Sequence, residues 1–232
     1  MDDLSHNDRE AALPAAALPL FPLSSPLFPG MPMPLHIFEE RYRQLLRDRE
    51  GSDPIFGVVL TRSGREVGDQ PEIHSTGTGA ELVVIRPYED GRADILLRGT
   101  RRFRVTAHDW SGPYLLGQVE WLPDPSVEID SVDGLAGEAA AGMGRLIGLA
   151  AAASGMATPN LELPADPTAL SYTLSWTLWV NSWERQELLE VPDTRARLAR
   201  LVEIIRREER LLRTTGASGV PIDHPGQRFL PN

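Results

Sequence analysis

Residues 18–46 read LPLFPLSSPLFPGMPMPLHIFEERYRQLL, from Leu18 to Leu46, and this stretch decides how the rest of the chain is parsed. It carries apolar residues and six prolines into a charged amphipathic segment. Leu18 to Phe21 predicts a short strand, whose Pro19 suits a strand start or an edge because proline donates no ladder hydrogen bond. Ser24 to Pro34 predicts a loop stiffened in φ by Pro26, Pro29, Pro32 and Pro34, with a tight turn at Gly30. From Phe38 to Arg49 the spacing predicts a helix, because Phe38, Tyr42, Leu45 and Leu46 fall on one stripe. Glu39 and Glu40 in its first turn and Arg47 and Arg49 near its end complement the helix dipole.

Downstream, the period changes to that of strands. Ile55 to Leu60 is a short apolar run, followed by a polar loop from Thr61 to Asp69. Ala80 to Tyr88 and Arg92 to Arg98 flank Glu89-Asp90-Gly91, a hairpin signal because Gly91 tolerates positive φ. Alternation in Arg101 to Val105 puts Phe103 and Val105 on one face and Arg102 and Arg104 on the other. Tyr114 to Leu122 closes the series. Five or six short strands with one helix predict a small barrel-like or rolled sheet.

Pro123-Asp124-Pro125 marks a boundary, and helical periodicity follows from about Ile129. Val132 to Ala153 carries a weak stripe of Leu135, Met143, Leu146, Ile147 and Ala150. Its glycines at 134, 137, 142, 144 and 148 predict a helix that is broken or mobile, each costing about 1 kcal/mol against alanine. Asp166 and Pro167 predict the N-cap and first position of a helix to Val180. Asn181 with Glu184 has capping-box spacing, and Asp193 caps a last helix to about Arg213 with a stripe of Leu198, Leu201, Val202, Ile205 and Leu212. The expected organisation is a disordered leader (1–17), a β-barrel (18–123), a helical bundle (129–213) and a flexible tail (214–232), an α+β class.

Composition excludes several chemistries. All 23 basic residues among the 232 are arginine, and the chain has neither lysine nor cysteine. A phosphate-binding loop ending in Gly-Lys-Ser/Thr, a Ser–Lys dyad and a Schiff-base enzyme each require lysine. Thiol nucleophiles, disulfides and thiolate metal sites require cysteine. A net charge of 23 − 33 = −10 argues against a nucleic-acid footprint. The first residues, MDDLSHNDRE, lack the basic-then-apolar layout of a signal peptide, and no apolar run approaches the ~18 residues of a membrane span. The expected location is cytoplasmic, with no membrane partner.

Several segments come in an ordered series: LPLFPL (Leu18 to Leu23), LFPGMPMPLHIFEERYRQLL (Leu27 to Leu46), IFGVVL (Ile55 to Leu60), GTGAEL (Gly77 to Leu82) and DGRADILLRGTRRFRV (Asp90 to Val105). DPTALSY (Asp166 to Tyr172) and RQELLEVPDTRARL (Arg185 to Leu198) follow them. Together they resemble the LON substrate-binding domain, the N-terminal domain of ATP-dependent Lon proteases, in the free-standing form without ATPase and protease domains. The resemblance implies a PUA-like β-barrel followed by a helical bundle. It also implies a non-catalytic module that captures exposed hydrophobic or unfolded polypeptide, or a protein partner such as a protease or chaperone, without a cofactor.

Two groups of side chains are candidates for peptide binding. Phe21, Leu27, Phe28, Met31 and Met33 belong to the proline-rich opening, where methionine would suit adaptable recognition. Trp176, Trp179 and Trp183 are spaced three and four apart and would anchor a partner if exposed; core packing is the competing reading for both groups. Arg98, Arg101, Arg102 and Arg104 keep an RNA-binding alternative open, although a solvated face is the simpler reading. The histidines (His6, His36, His74, His108 and His224) show no ligand spacing, so no metal is expected. A dispersed Ser–His–Asp triad is a third alternative, without a Gly-x-Ser-x-Gly elbow to support it.

Overall fold

The first strand, β1 (Leu18–Leu23), is longer than its apolar tetrapeptide and lies inside the sheet. It runs parallel to β3 (Ile55–Ser63), with Leu20 beside Gly57 and Leu23 beside Leu60, and antiparallel to β6 (Leu116–Trp121) at Leu18 and Pro19. Pro19 thus sits at a strand start. The computed structural model describes residues 17–49, 55–63, 70–125, 128–159 and 161–215, so the leader (1–16) and the tail beyond 215 lie outside the described residues.

The loop expected up to Pro34 contains a strand instead. β2 (Pro32–Ile37) pairs antiparallel with β5 (Ala93–Asp109), Pro32 opposite Arg98 and Pro34 opposite Leu96. It is an edge strand, where every second N–H points away from the sheet, so two prolines spaced by two cost no ladder bond. Helix α1 (Glu40–Arg49) then buries Tyr42 and Leu45. Phe38, expected in its stripe, precedes it and is exposed.

β4 (Glu72–Pro87) and β5 are single long strands where the sequence suggested shorter pieces. They join through a hairpin at Glu89-Asp90-Gly91, where Gly91 has φ +81° and Tyr88 and Arg92 close the turn. β5 outgrows its expected parts because its first half pairs with β2 and its second half with β6, while β4 runs alongside both. The result is a six-stranded mixed sheet in the order β2-β5-β4-β3-β1-β6, with β6 also pairing β5. Inside, Leu20, Val59, Phe103 and Leu115 form a small cluster, flanked by Ile73, Val105, Val119 and Trp121.

Among the described residues four more helices follow the sheet: α2 (Ile129–Ser154), α3 (Pro167–Thr177), α4 (Ser182–Glu190) and α5 (Thr194–Thr215). α2 is unbroken despite its glycines and ends at Gly155, whose φ of +66° lets its N–H reach back to the last turn. Asp166 caps α3 by accepting the Ala169 N–H at 2.7 Å, with Pro167 first in the helix. α3 stops at Thr177, not Val180, because Leu178 is extended. Asn181 accepts the Glu184 N–H at 2.9 Å to open α4, and Asp193 accepts the Ala196 N–H at 2.8 Å beside the start of α5. One apolar cluster runs from Phe21, Phe28 and Met33 in the sheet half to Leu170, Leu188 and Leu201 in the helices, so both halves share a core.

Candidate functional site

The two halves meet where α4 lies against the start of β4. Gln186 on α4 is 1% exposed and donates its Nε2 to the Thr76 carbonyl at 2.9 Å and to Glu190 Oε1 at 2.8 Å. Glu190 Oε1 also faces His74 Nδ1 at 3.3 Å. The His74 ring meets the Trp183 indole edge-on, with centroids 5.0 Å apart. Beside this junction is a cleft of about 390 Å³ lined by Arg62, Ile73, His74, Ser75, Val105, His108 and Glu190. Its residues come from three strands and one helix: Ile73 and Val105 are apolar, and Arg62, the two histidines and Glu190 can carry charge. Trp183, 52% exposed, stands next to it on α4.

Arg102 holds α4 in that position. It is 1% exposed, and its Nη1 donates to the carbonyls of Leu189 at 2.9 Å and Val191 at 2.6 Å, while Nη2 donates to Pro192 O at 3.1 Å and Asp124 Oδ1 at 2.9 Å. A cation among the open carbonyls of a helix C-terminus interacts favourably with the helix dipole. Asp124 Oδ1 also accepts the Tyr172 hydroxyl at 2.5 Å, and the fully buried Arg197 donates to Tyr172 Oη at 3.1 Å and Ser171 Oγ at 2.9 Å. Burial pushes the Tyr172 phenol up, out of its ordinary range, and lowers Arg197.

The sequence candidates divide clearly. Phe21, Leu27, Phe28, Met31 and Met33 are all buried in the shared core and are not displayed on the surface. The Phe21 ring packs on Tyr42 with centroids 3.9 Å apart, and Phe28 lies against Tyr172. Trp176 and Trp179 are half-buried against the same core. The end of α3 at Thr177 separates them from Trp183, so the three do not form one continuous helical stripe. Trp183 alone of the eight is strongly exposed.

Arg102 departs from the solvated face expected for it, because α4 covers that side of β5. Arg104 on the same face remains exposed, and Arg101 stacks over the Trp121 ring at 4.2 Å. The arginines therefore do not form one continuous basic surface. Histidines 36 and 74 pair with Asp94 and Glu190, and the same carboxylates accept hydrogen bonds from the Tyr88 hydroxyl and the Gln186 side-chain amide. Among the described residues no three His, Asp or Glu side chains gather as a metal site. Sequence reasoning weighed His74 only as a metal ligand and missed Gln186 and Glu190, which lie over a hundred positions from it.

Comparison with known proteins agrees with this architecture. The chain is 27% identical to the Lon protease of Anaeromyxobacter dehalogenans over 203 residues, covering 85% of this chain and 24% of that protein. It is 27% identical to Lon protease 2 of Myxococcus xanthus over 201 residues, covering 84% of this chain and again 24% of the other. The chain thus spans about a quarter of the length of these curated relatives. The crystal structure of a Lon N-terminal domain protein from Xanthomonas campestris matches with a TM-score of 0.58 and 30% identity, over 81% of this chain and 97% of that one. The N-terminal domain of the Mycobacterium avium complex Lon protease shares the fold, with a TM-score of 0.60 at 19% identity over 82% of this chain and 98% of its own. A model of the ATP-dependent protease La (LON) substrate-binding domain matches residues 17–207, from the first strand into the last helix, and the chain belongs to that family.

Proposed function

We propose that the protein is a non-catalytic, cytoplasmic recognition module that captures exposed hydrophobic or unfolded polypeptide segments at the sheet–helix junction. The observation that carries this reading is Trp183, a large apolar side chain left exposed beside a cleft with an apolar side in Ile73 and Val105. Exposed tryptophans beside concave surfaces are the usual anchors of protein recognition. The return of strand pairing from β6 to both β1 and β5 supports reading the sheet as a PUA-like barrel. Membership of a substrate-binding family supports a polypeptide ligand. The five buried candidates from the proline-rich opening act in this reading by holding the junction in shape.

Titration with reduced and alkylated lysozyme, which stays unfolded, against native lysozyme tests the proposal. Binding of the unfolded chain alone, weakened by Trp183→Ala, is the expected result. No binding of either at roughly micromolar to millimolar concentrations would remove it.

A further inference from the structure

Five of the large apolar side chains exposed to solvent lie at one end of the sheet, away from the cleft. Phe38, Val83, Val84, Ile85 and Tyr88 are each between 40 and 50% exposed. Pairing between β3 and β4 ends at Ile55 opposite Glu81, whereas β4 continues beside β5 with Val84 opposite Leu96, Ile85 opposite Ile95 and Arg86 opposite Asp94. From Val83 to Pro87 the strand therefore has a neighbour on one side only, among the described residues. Successive side chains on a strand point to opposite faces, so this arm offers apolar surface on both.

Two open edges among the described residues differ in how they are protected. β2 carries Pro32 and Pro34, which cannot donate to an added strand. The arm of β4 has three consecutive β-prone residues, Val83-Val84-Ile85, before Arg86 and Pro87 limit its length. A register shift against β5 between Leu82 and Val84 sets this stretch apart from the pairing of Ala80 to Leu82 before it. An open edge supplies alternating backbone donors and acceptors, and the ligand that answers both is another extended backbone.

We infer that the β4 arm, Val83 to Arg86, is a second binding surface, which takes an extended apolar polypeptide segment as an added strand. The inference rests on the proposed capture of unfolded polypeptide and assigns that ligand a backbone conformation. The added strand pairs with the open amides of β4 and lays alternate apolar side chains against Val84 on one face and Ile85 on the other. Phe38 and Tyr88 stand at the same end of the sheet, against the His36 ring.

The test uses a fluorescein-labelled peptide of alternating valine and threonine, followed by anisotropy with the full chain. N-methylation of every second amide removes backbone donors and leaves the side chains in place. Methylating one alternate set is expected to weaken binding by about three- to tenfold per lost bond, and methylating the other set far less, because those amides face away. Val84→Lys with Ile85→Lys weakens binding of the unmodified peptide in parallel, and Trp183→Ala leaves it unchanged. Equal affinity for the two methylated sets, or no effect of the lysine pair, overturns strand addition. A dimer in light scattering that dissociates in the lysine pair also overturns it, since a second copy then occupies the edge. If alkylated lysozyme binds and is lost only with Trp183→Ala, the cleft reading stands without the arm. If alkylated lysozyme does not bind at all, both fall.

Discussion

The Nη2 of Arg102 lies 2.9 Å from Oδ1 of Asp124, joining the middle of β5 to the connection that leaves the sheet. The same guanidinium binds carbonyls at the end of α4, so one side chain ties together strand, connector and helix. A buried ion pair stabilises a fold weakly compared with an apolar replacement, but losing one partner leaves the other uncompensated.

Replacing Arg102 by alanine would leave the carbonyls of Leu189, Val191 and Pro192 without their cation at the end of α4. The expected loss is about 3–5 kcal/mol, read as a lower urea midpoint. Arg102→Lys should recover only part of it, since an ammonium cannot reproduce the planar fork that reaches five acceptor groups. Full stability in the lysine variant would show that charge alone suffices.

Acid sensitivity should have a defined contribution from Asp94. Its carboxylate accepts the Tyr88 hydroxyl at 2.5 Å and faces His36 Nδ1 at 2.7 Å, and these contacts hold its pKa below the usual aspartate value. The folded state therefore binds fewer protons there than the unfolded chain. The associated stability is present above the ordinary carboxylate range and is lost as pH falls through the lowered folded value. Urea midpoints followed from about pH 5 to pH 2 should fall less steeply in Asp94→Asn than in the parent.

Glycine substitutions should act in opposite directions. A Cβ at Gly99 would come within 2.0 Å of the Phe28 carbonyl oxygen, so Gly99→Ala should destabilise by about 2 kcal/mol or more. In α2, a Cβ at Gly134, Gly137, Gly144 or Gly148 meets nothing within 4 Å. Alanine at each should stabilise by about 0.5–1 kcal/mol, with thermal midpoints rising as they are combined. Gly142→Ala belongs outside that set, because its Cβ would press on Ile205 Cγ2 at 2.9 Å.

The N-cap of α4 gives a more local readout. Asn181→Ala removes the acceptor for the Glu184 N–H and should cost about 1 kcal/mol. Fraying there would loosen Trp183, two residues on, and hydrogen exchange of the α4 amides should rise before those of α5.

Elements governed by local chemistry were legible in the sequence. Asp166, Pro167, Asn181 and Glu184 announce helix starts through bonds that span three residues, and Asp90-Gly91 announces its hairpin in the same way. β2 was hidden because its prolines signal a loop unless the edge position is known. The length of β5 was hidden because it depends on two different partners. Nothing local distinguishes Arg102 from Arg104: both alternate outward from Phe103, and only the arrival of α4 buries one of them. The candidate site was the least legible part, since His74 and Glu190 meet across 116 positions.

The contacts of Arg102 also bear on how the chain is made. Its acceptors at Leu189, Val191 and Pro192 lie 87 to 90 residues further along the chain. During synthesis, β5 leaves the ribosome well before those carbonyls exist, so its buried charge has no native solvation until α4 emerges. A nascent chain stalled before Leu189 would hold the sheet half in an open, protease-sensitive state, and protection would arrive late and abruptly once the end of α4 clears the exit tunnel.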